Sequence, residues 1–246
     1  MLFRSYNYLI SKDVNSIEAE ITGDAFAFNP ALGNVNNDVL SNSKYGDTYR
    51  FIGVASKKWK YGNDKWATTL STFFEYAQGG RFSYTYGGDI NNDGSAVNDL
   101  IYVPTSAEIA QMTFSGAGQG EAFDKFIEQD DYLRDRRGEY AERYGAISPW
   151  RGKWDLKFLQ DYNFRVSSAS EKKNTIQFSV DILNVGNLIN SDWGVVQVPT
   201  SVQPIGVTVA GNTPTYTFTN TQTKTFNYDA SLTSRWQMQF GIRYIF

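Results

Sequence analysis

One stretch of the chain places oxygen-bearing side chains at the spacing of a calcium loop. Asp89, Asn91 and Asp93 stand at alternate positions, and a glycine follows them. Carboxylate and amide oxygens are the ligands that Ca²⁺ prefers, and glycine permits the sharp turn of an EF-hand loop. A leucine stands where that loop has its bidentate acid, but Asn98 or Asp99 supplies an oxygen at a shifted spacing. The pattern predicts a candidate calcium site at Asp89, Asn91, Asp93 and Asp99; the alternative is an Asp/Asn/Gly turn that needs no metal.

The residue types that are missing exclude most kinds of catalytic site. The 246 residues include no His and no Cys, which excludes a Ser-His-Asp triad, a Cys nucleophile and a His-ligated zinc. Glu128, Asp130 and Asp131 lie together and have the chemistry of a paired-carboxylate hydrolase. On a charged helix such a cluster is most simply a solvated face. We therefore predict that the protein is not an enzyme.

Two further groups of residues belong to the predicted loops. Residues 121–144 have a helix-like composition, with Phe123, Phe126 and Ile127 available for one side. These residues predict a short helix in one loop. The helix either packs over a pore or against a partner, or it is a solvated helix. Several aromatic residues offer ring faces that could stack on a ligand, although anchoring a loop is the commoner role of such residues: Tyr84, Tyr86, Trp150, Trp193 and Tyr216.

The elements that must position these groups are strands. In the last eleven residues, apolar and polar side chains alternate strictly. Because successive strand residues point to opposite sides, one face meets an apolar medium and the other meets water. The apolar set is Trp236, Met238, Phe240, Ile242, Tyr244 and Phe246. A strand that closes on a terminal Phe resembles the signal by which outer-membrane barrel proteins are recognised for assembly.

The same alternation recurs upstream and gives about six antiparallel strands in all. It covers residues 3–10, 49–61, 66–76, 153–166 and 174–184. Several of these segments carry aromatic residues at both ends, which suits the two interfacial girdles of a membrane barrel. Half-buried strands of a soluble antiparallel sheet have the same periodicity.

Connection lengths favour the barrel. Residues 62–65 and 167–173 are short connections, whereas 12–47, 78–152 and 185–231 are long ones. Compact soluble domains rarely have structureless connections beyond ~15 residues. Outer-membrane barrels alternate short periplasmic turns with long outer loops.

Composition agrees with this fold class. Aromatic residues make up 16% of the chain, mean hydropathy is -0.43, and the formal net charge is -3. No run reaches the ~20 apolar residues that a membrane helix needs, and the charge gives no reason to expect nucleic acid. The first ten residues lack the pattern of a secretory signal, so we expect any targeting segment to lie outside this chain.

The loops and strands together carry a family resemblance. Residues 82–104 read FSYTYGGDINNDGSAVNDLIYVP and are followed by Arg137-Gly138, Arg143-Tyr144-Gly145 and Pro149-Trp150, then by FSVDILNVGN at 178–187. In this order they resemble TonB-dependent outer-membrane receptors of the Bacteroidetes, of the type with a regulatory-like domain ahead of the plug. The resemblance covers residues 5–246. At Tyr144 the family pattern has Asn.

The resemblance implies a 22-stranded barrel with a plug, located in the cell outer membrane, that imports a nutrient of the siderophore, vitamin, oligosaccharide or peptide class. Residues 1–246 then supply only the carboxyl-terminal strands, and the plug, the first strands and the segment that contacts TonB are absent. Implied partners are membrane lipid, the rest of the barrel, the barrel-assembly machinery and a surface lipoprotein. The alternative is an autonomous soluble antiparallel module whose long loops bind a ligand.

Overall fold

Six antiparallel strands form the largest element of the computed structural model, which describes residues 1–16, 19–45, 48–166, 173–219 and 221–246. Each strand pairs with the one before it in sequence, so the sheet is a simple meander. The strands are β1 (Leu2–Tyr8), β2 (Tyr49–Tyr61), β3 (Trp66–Ala77), β4 (Arg151–Phe164), β5 (Asn174–Leu183) and β6 (Gln237–Ile245). The prediction of an all-β, antiparallel, six-stranded architecture is therefore confirmed, with strand ends shifted by up to two residues.

Alternating connection lengths place the long loops at one end of the sheet. The β2–β3 turn spans residues 62–65, where Asn63 and Asp64 adopt positive φ and Lys65 N donates to Gly62 O at 3.2 Å. Gly, Asn and Asp tolerate that left-handed backbone, which confirms the predicted turn. Of the other short connection, residues 167–172 lie outside the described residues.

The long connections, residues 9–48, 78–150 and 184–236, contain short elements of their own, and we call them the loop cap. Five helices are described there or at its border: α1 (Thr22–Ala27), α2 (Ser106–Ile109), α3 (Gln119–Gln129), α4 (Asp131–Arg134) and α5 (Val185–Ile189), with a 3-10 turn at Leu232–Ser234. Short strands pair as Lys12–Asp13 with Ser41–Asn42, Arg81–Phe82 with Ala146–Ile147, Tyr102–Val103 with Glu139–Tyr140, Gln197–Pro199 with Phe226–Tyr228, and Ile205–Ala210 with Thr213–Phe218. None of the described helices is long and apolar enough to cross a membrane.

The predicted helix over residues 121–144 is confirmed only in its first half. The backbone leaves the helical region at Asp130, whose side chain accepts from Leu133 N and starts the short helix α4. Gly138 then adopts a φ of 86°, and Glu139–Tyr140 form a strand. A capping Asp and a left-handed Gly therefore end the helix earlier than its composition predicts.

The hydrophobic core lies in the loop cap rather than against the sheet. Phe123, Phe126 and Ile127 of α3 are buried as predicted, and the rings of Phe123 and Phe126 lie 5.3 and 5.5 Å from that of Phe218. This contact joins the second long connection to the third. The loop cap is thus a packed unit, held over one end of the strands.

Candidate functional site

Strand register aligns the apolar side chains of all six strands on one face, which we call the apolar face. Across β4, β5 and β6, Phe158 pairs with Val180 and Val180 with Phe240, and Phe178 pairs with Ile242. These side chains point away from the protein: Phe178 is 39% exposed, Phe240 65% and Ile242 80%. A large apolar surface left in contact with solvent marks an interaction site.

Aromatic side chains border the apolar face at both ends. At the turn end, Trp66 lies 4.7 Å from Tyr162, and the row continues through Phe164, Tyr244 and Phe246 at ring distances of 5.7 to 6.5 Å. We call this the turn-end row. The loop-end row contains Tyr6, Tyr8, Tyr49, Phe51, Tyr76 and Trp150.

The separation of the two rows matches the thickness of an outer-membrane barrel belt. Trp66 and Tyr76 belong to opposite rows of β3 and are ten residues apart. At about 3.3 Å per residue they lie about 33 Å apart along the strand, a length that would project to about 25 Å along a membrane normal at the tilt of about 40° typical of membrane-barrel strands. An outward apolar band of such barrels is about 25 Å tall.

The opposite face of the sheet is polar and internally paired. Lys58 Nζ lies 2.8 Å from the carboxylate of Asp161, which also accepts from Gln177 at 2.7 Å. Lys157 and Asp181 form a further pair at 2.7 Å. These contacts cross from strand to strand, so the polar face tolerates charge that the apolar face excludes.

Two charged residues depart from this division. The register places Arg4 and Lys57 on the apolar face. Lys57 holds its ammonium group 5.4 Å from the centre of the Trp59 ring, next to the turn-end row. A long cationic side chain near the edge of an apolar belt can extend its charge to the water interface.

The residues predicted to form an assembly signal share the apolar face. Phe240, Ile242 and Tyr244 belong to β6, and Trp236 and Phe246 flank it. All five side chains are exposed. They are thus available to a partner, and their role in assembly stays a prediction.

The predicted calcium residues form a network of turns. Both carboxylate oxygens of Asp89 accept backbone N–H groups, from Asp93 at 3.1 Å and Gly94 at 2.8 Å. Asn91 Oδ1 also accepts from Asp93 N, and Asp99 accepts from Ile90 N at 3.2 Å. Among the described residues, no group of three or more Asp, Glu, His or Cys side chains is placed to hold a metal. Calcium binding here stays a prediction.

The aromatic residues proposed for ligand stacking have different locations. Tyr84 and Tyr86 are buried in the loop cap, and burial raises the pKa of both phenols. Trp150 stacks on Tyr76 in the loop-end row, whereas Trp193 is exposed. Tyr216 lies 6.2 Å from Tyr86, so these two tyrosines are brought together.

The chain matches no protein-family model, no curated protein and no solved structure. Its function is therefore inferred from the apolar face, the two aromatic rows and the residues that carry the family resemblance.

Arg143 has a structural role that sequence reasoning did not predict. Its side chain is buried and donates to the backbone oxygens of Asp13, Val14 and Val39 and to Asn29 Oδ1. This side chain ties the first long connection to the rest of the loop cap. Arg143 lies 129 positions from Val14, and a local sequence pattern cannot predict a contact between residues so far apart.

Proposed function

We propose that this chain is the carboxyl-terminal part of an outer-membrane β-barrel, and that the barrel is a TonB-dependent transporter that imports a nutrient. The observation that carries the proposal is the apolar face, bounded by two aromatic rows about 33 Å apart along the strand, which the tilt of a barrel strand would project to about 25 Å. A soluble sheet would cover such a face with a second layer, because exposed apolar area of this extent promotes association.

Strand count supports the view that the six strands belong to a larger wall. Among the residues that the structure describes, β1 and β6 each pair on one side only. The smallest membrane barrels have ~8 strands, and each unpaired backbone group in hydrocarbon costs several kcal/mol. The partner that fits both edges is the remainder of the barrel.

The transporter class is supported by the loop cap and by the family resemblance. Long connections that pack together over one end of the wall suit the outer side of a gated barrel. In this proposal the plug and the TonB-contacting segment come from outside the chain, and membrane lipid contacts the apolar face.

The size and location of the native polypeptide test the proposal. Source cells would be fractionated and probed with an antibody against residues 233–246. We expect a band well above 27.8 kDa in the outer membrane. A soluble band at that mass would contradict the transporter and favour the autonomous ligand-binding module.

A further inference from the structure

A cavity in the loop cap has four tyrosines in its wall. Its volume is about 440 Å³, and Tyr86, Tyr102, Tyr140 and Tyr216 contribute to its lining. Pockets of about 300 to 1,000 Å³ with mainly apolar walls and a few polar groups are the usual form of small-molecule sites. This cavity lies apart from the apolar face, so a ligand site within it goes beyond the proposed function and does not depend on it.

The tyrosines are held in place by each other and by the backbone. The rings of Tyr102 and Tyr140 lie 5.2 Å apart, edge to face, and those of Tyr86 and Tyr216 lie 6.2 Å apart. Tyr86 Oη accepts from Tyr102 N at 3.2 Å, and Tyr102 Oη donates to Glu108 at 2.8 Å. Tyrosine rings held in this way in the wall of a cavity are already ordered, so a cation that binds against them does not have to order them first.

The charged side chains that line the cavity are both acidic, namely Asp99 and Glu108, and no Lys or Arg is among its described lining residues. Glu108 accepts from the backbone N–H and the hydroxyl of Thr105 as well as from Tyr102. The backbone N–H of Thr105 first, then the two hydroxyls, lower the pKa of Glu108. The carboxylate is therefore ionised at neutral pH and favours a positive ligand.

We propose that this tyrosine-lined cavity binds an organic ammonium ion, with the ring faces around the cation and Glu108 as its counter-charge. Aromatic faces and a carboxylate attract a weakly hydrated ammonium group more than a neutral molecule of the same shape. Two arginines lie close in sequence to the lining residue Tyr140, and neither lines the cavity: Arg136 is paired with Glu139 and Glu142, and Arg137 with Asp124 and Glu128.

Choline and its uncharged isostere 3,3-dimethyl-1-butanol form a matched pair of probes. Binding of each to the full chain, kept in a polyoxyethylene detergent without charged or sugar headgroups, would be measured by saturation-transfer NMR titration. We expect choline to bind at least about tenfold more tightly than the isostere, because the shape is shared and only the charge differs.

Two substitutions and one control locate the binding. Glu108→Gln removes the charge but keeps the capping box of α2, since Gln also serves at that position. Tyr140→Leu removes one ring from an exposed position. Each is expected to weaken choline binding about tenfold, whereas Glu121→Gln, on an exposed ion pair of α3, should leave it unchanged.

Four results would overturn the inference. Equal binding of choline and the isostere would make the cavity merely apolar, and no choline binding would remove the cation site. Binding of maltose in place of choline would identify a sugar site instead. Choline binding that survives Glu108→Gln and Tyr140→Leu would place the cation elsewhere.

Discussion

At the scale of single residues, Arg143 organises the loop cap. It is 5% exposed, and its terminal nitrogens donate to Asp13 O at 2.5 Å and Val39 O at 3.1 Å. Its carboxylate contact, to Asp13, is longer at 3.7 Å. The guanidinium thus acts mainly as a hydrogen-bond hub for backbone carbonyls of the first long connection.

Replacing Arg143 with Met should loosen that connection. The carbonyls would lose charged donors in part-buried hydrogen bonds, which costs about 1.5 to 3 kcal/mol. Hydrogen exchange of residues 37–42 should report faster opening. Arg134→Met is the matched control, because its pair with Asp131 is on the surface and is worth about 1 kcal/mol or less. Equal hydrogen-exchange rates in the two variants would show that Arg143 does not stabilise the first long connection.

The steric environment of Gly88 leads to a second prediction. Gly88 has a φ of 144°, and an added Cβ would lie 2.1 Å from Val207 O. Gly211 also has positive φ, but an added Cβ there would meet nothing within 4 Å. We expect Gly88→Ala to lower the free energy of unfolding of the loop cap clearly more than Gly211→Ala, whose cost is backbone strain of about 1 kcal/mol. Urea denaturation of both variants measures the difference, and equal losses would contradict the close packing at Gly88.

Calcium is the third prediction at this scale. If Asp89, Asn91, Asp93 and Asp99 bind Ca²⁺, adding it should protect residues 89–99 from proteolysis, because the ion fixes the loop. Asp93→Asn keeps a side-chain oxygen for Ser95 N but removes a charge, and should weaken the protection. Unchanged cleavage on calcium addition would leave the turn as a structure that its own hydrogen bonds maintain.

At the scale of elements, the long strands could be predicted because their side chains alternate over seven or more residues. The two-residue strands of the loop cap, such as Tyr102–Val103 and Glu139–Tyr140, could not be predicted, because two residues are too few to show an alternation. The helix predicted over residues 121–144 is too long, because composition does not show that Asp130 caps a new helix, α4. The tyrosine-lined cavity was also invisible, because its walls come from segments far apart in sequence.

Adjacent residues of β5 test the assignment of the two faces. Phe178 lies on the apolar face and Gln177 on the polar face, beside Asp161. Lys on the lipid side of a barrel costs about 2 to 4 kcal/mol near the bilayer centre. Phe178 lies one apolar-face position from the turn-end row, where this cost is smaller, so we expect Phe178→Lys to lower the free energy of unfolding in phospholipid vesicles by about 1 to 2 kcal/mol. Gln177→Lys gains a nearby carboxylate and should change it by less than about 1 kcal/mol. A larger loss of unfolding free energy in Gln177→Lys than in Phe178→Lys would contradict the assignment of lipid to the apolar face.

At the scale of the whole molecule, the chain consists of an open wall and a packed loop cap. The wall has one apolar and one polar face, and the core lies in the loop cap. Because half of every strand is polar, a sequence with a mean hydropathy of -0.43 is compatible with a membrane-facing surface. We propose that lipid contacts the apolar face.

A nitroxide scan along β3 tests that claim most directly. The chain has no native Cys, so single cysteines can be introduced and labelled at each position of Trp66–Ala77, and their accessibility measured in phospholipid vesicles that hold the complete barrel. We predict a period of two: even-numbered positions between the aromatic rows should collide with oxygen and be shielded from a water-soluble nickel complex, and odd-numbered positions should show the opposite. Equal access of the nickel complex to both sets would contradict a lipid-facing wall.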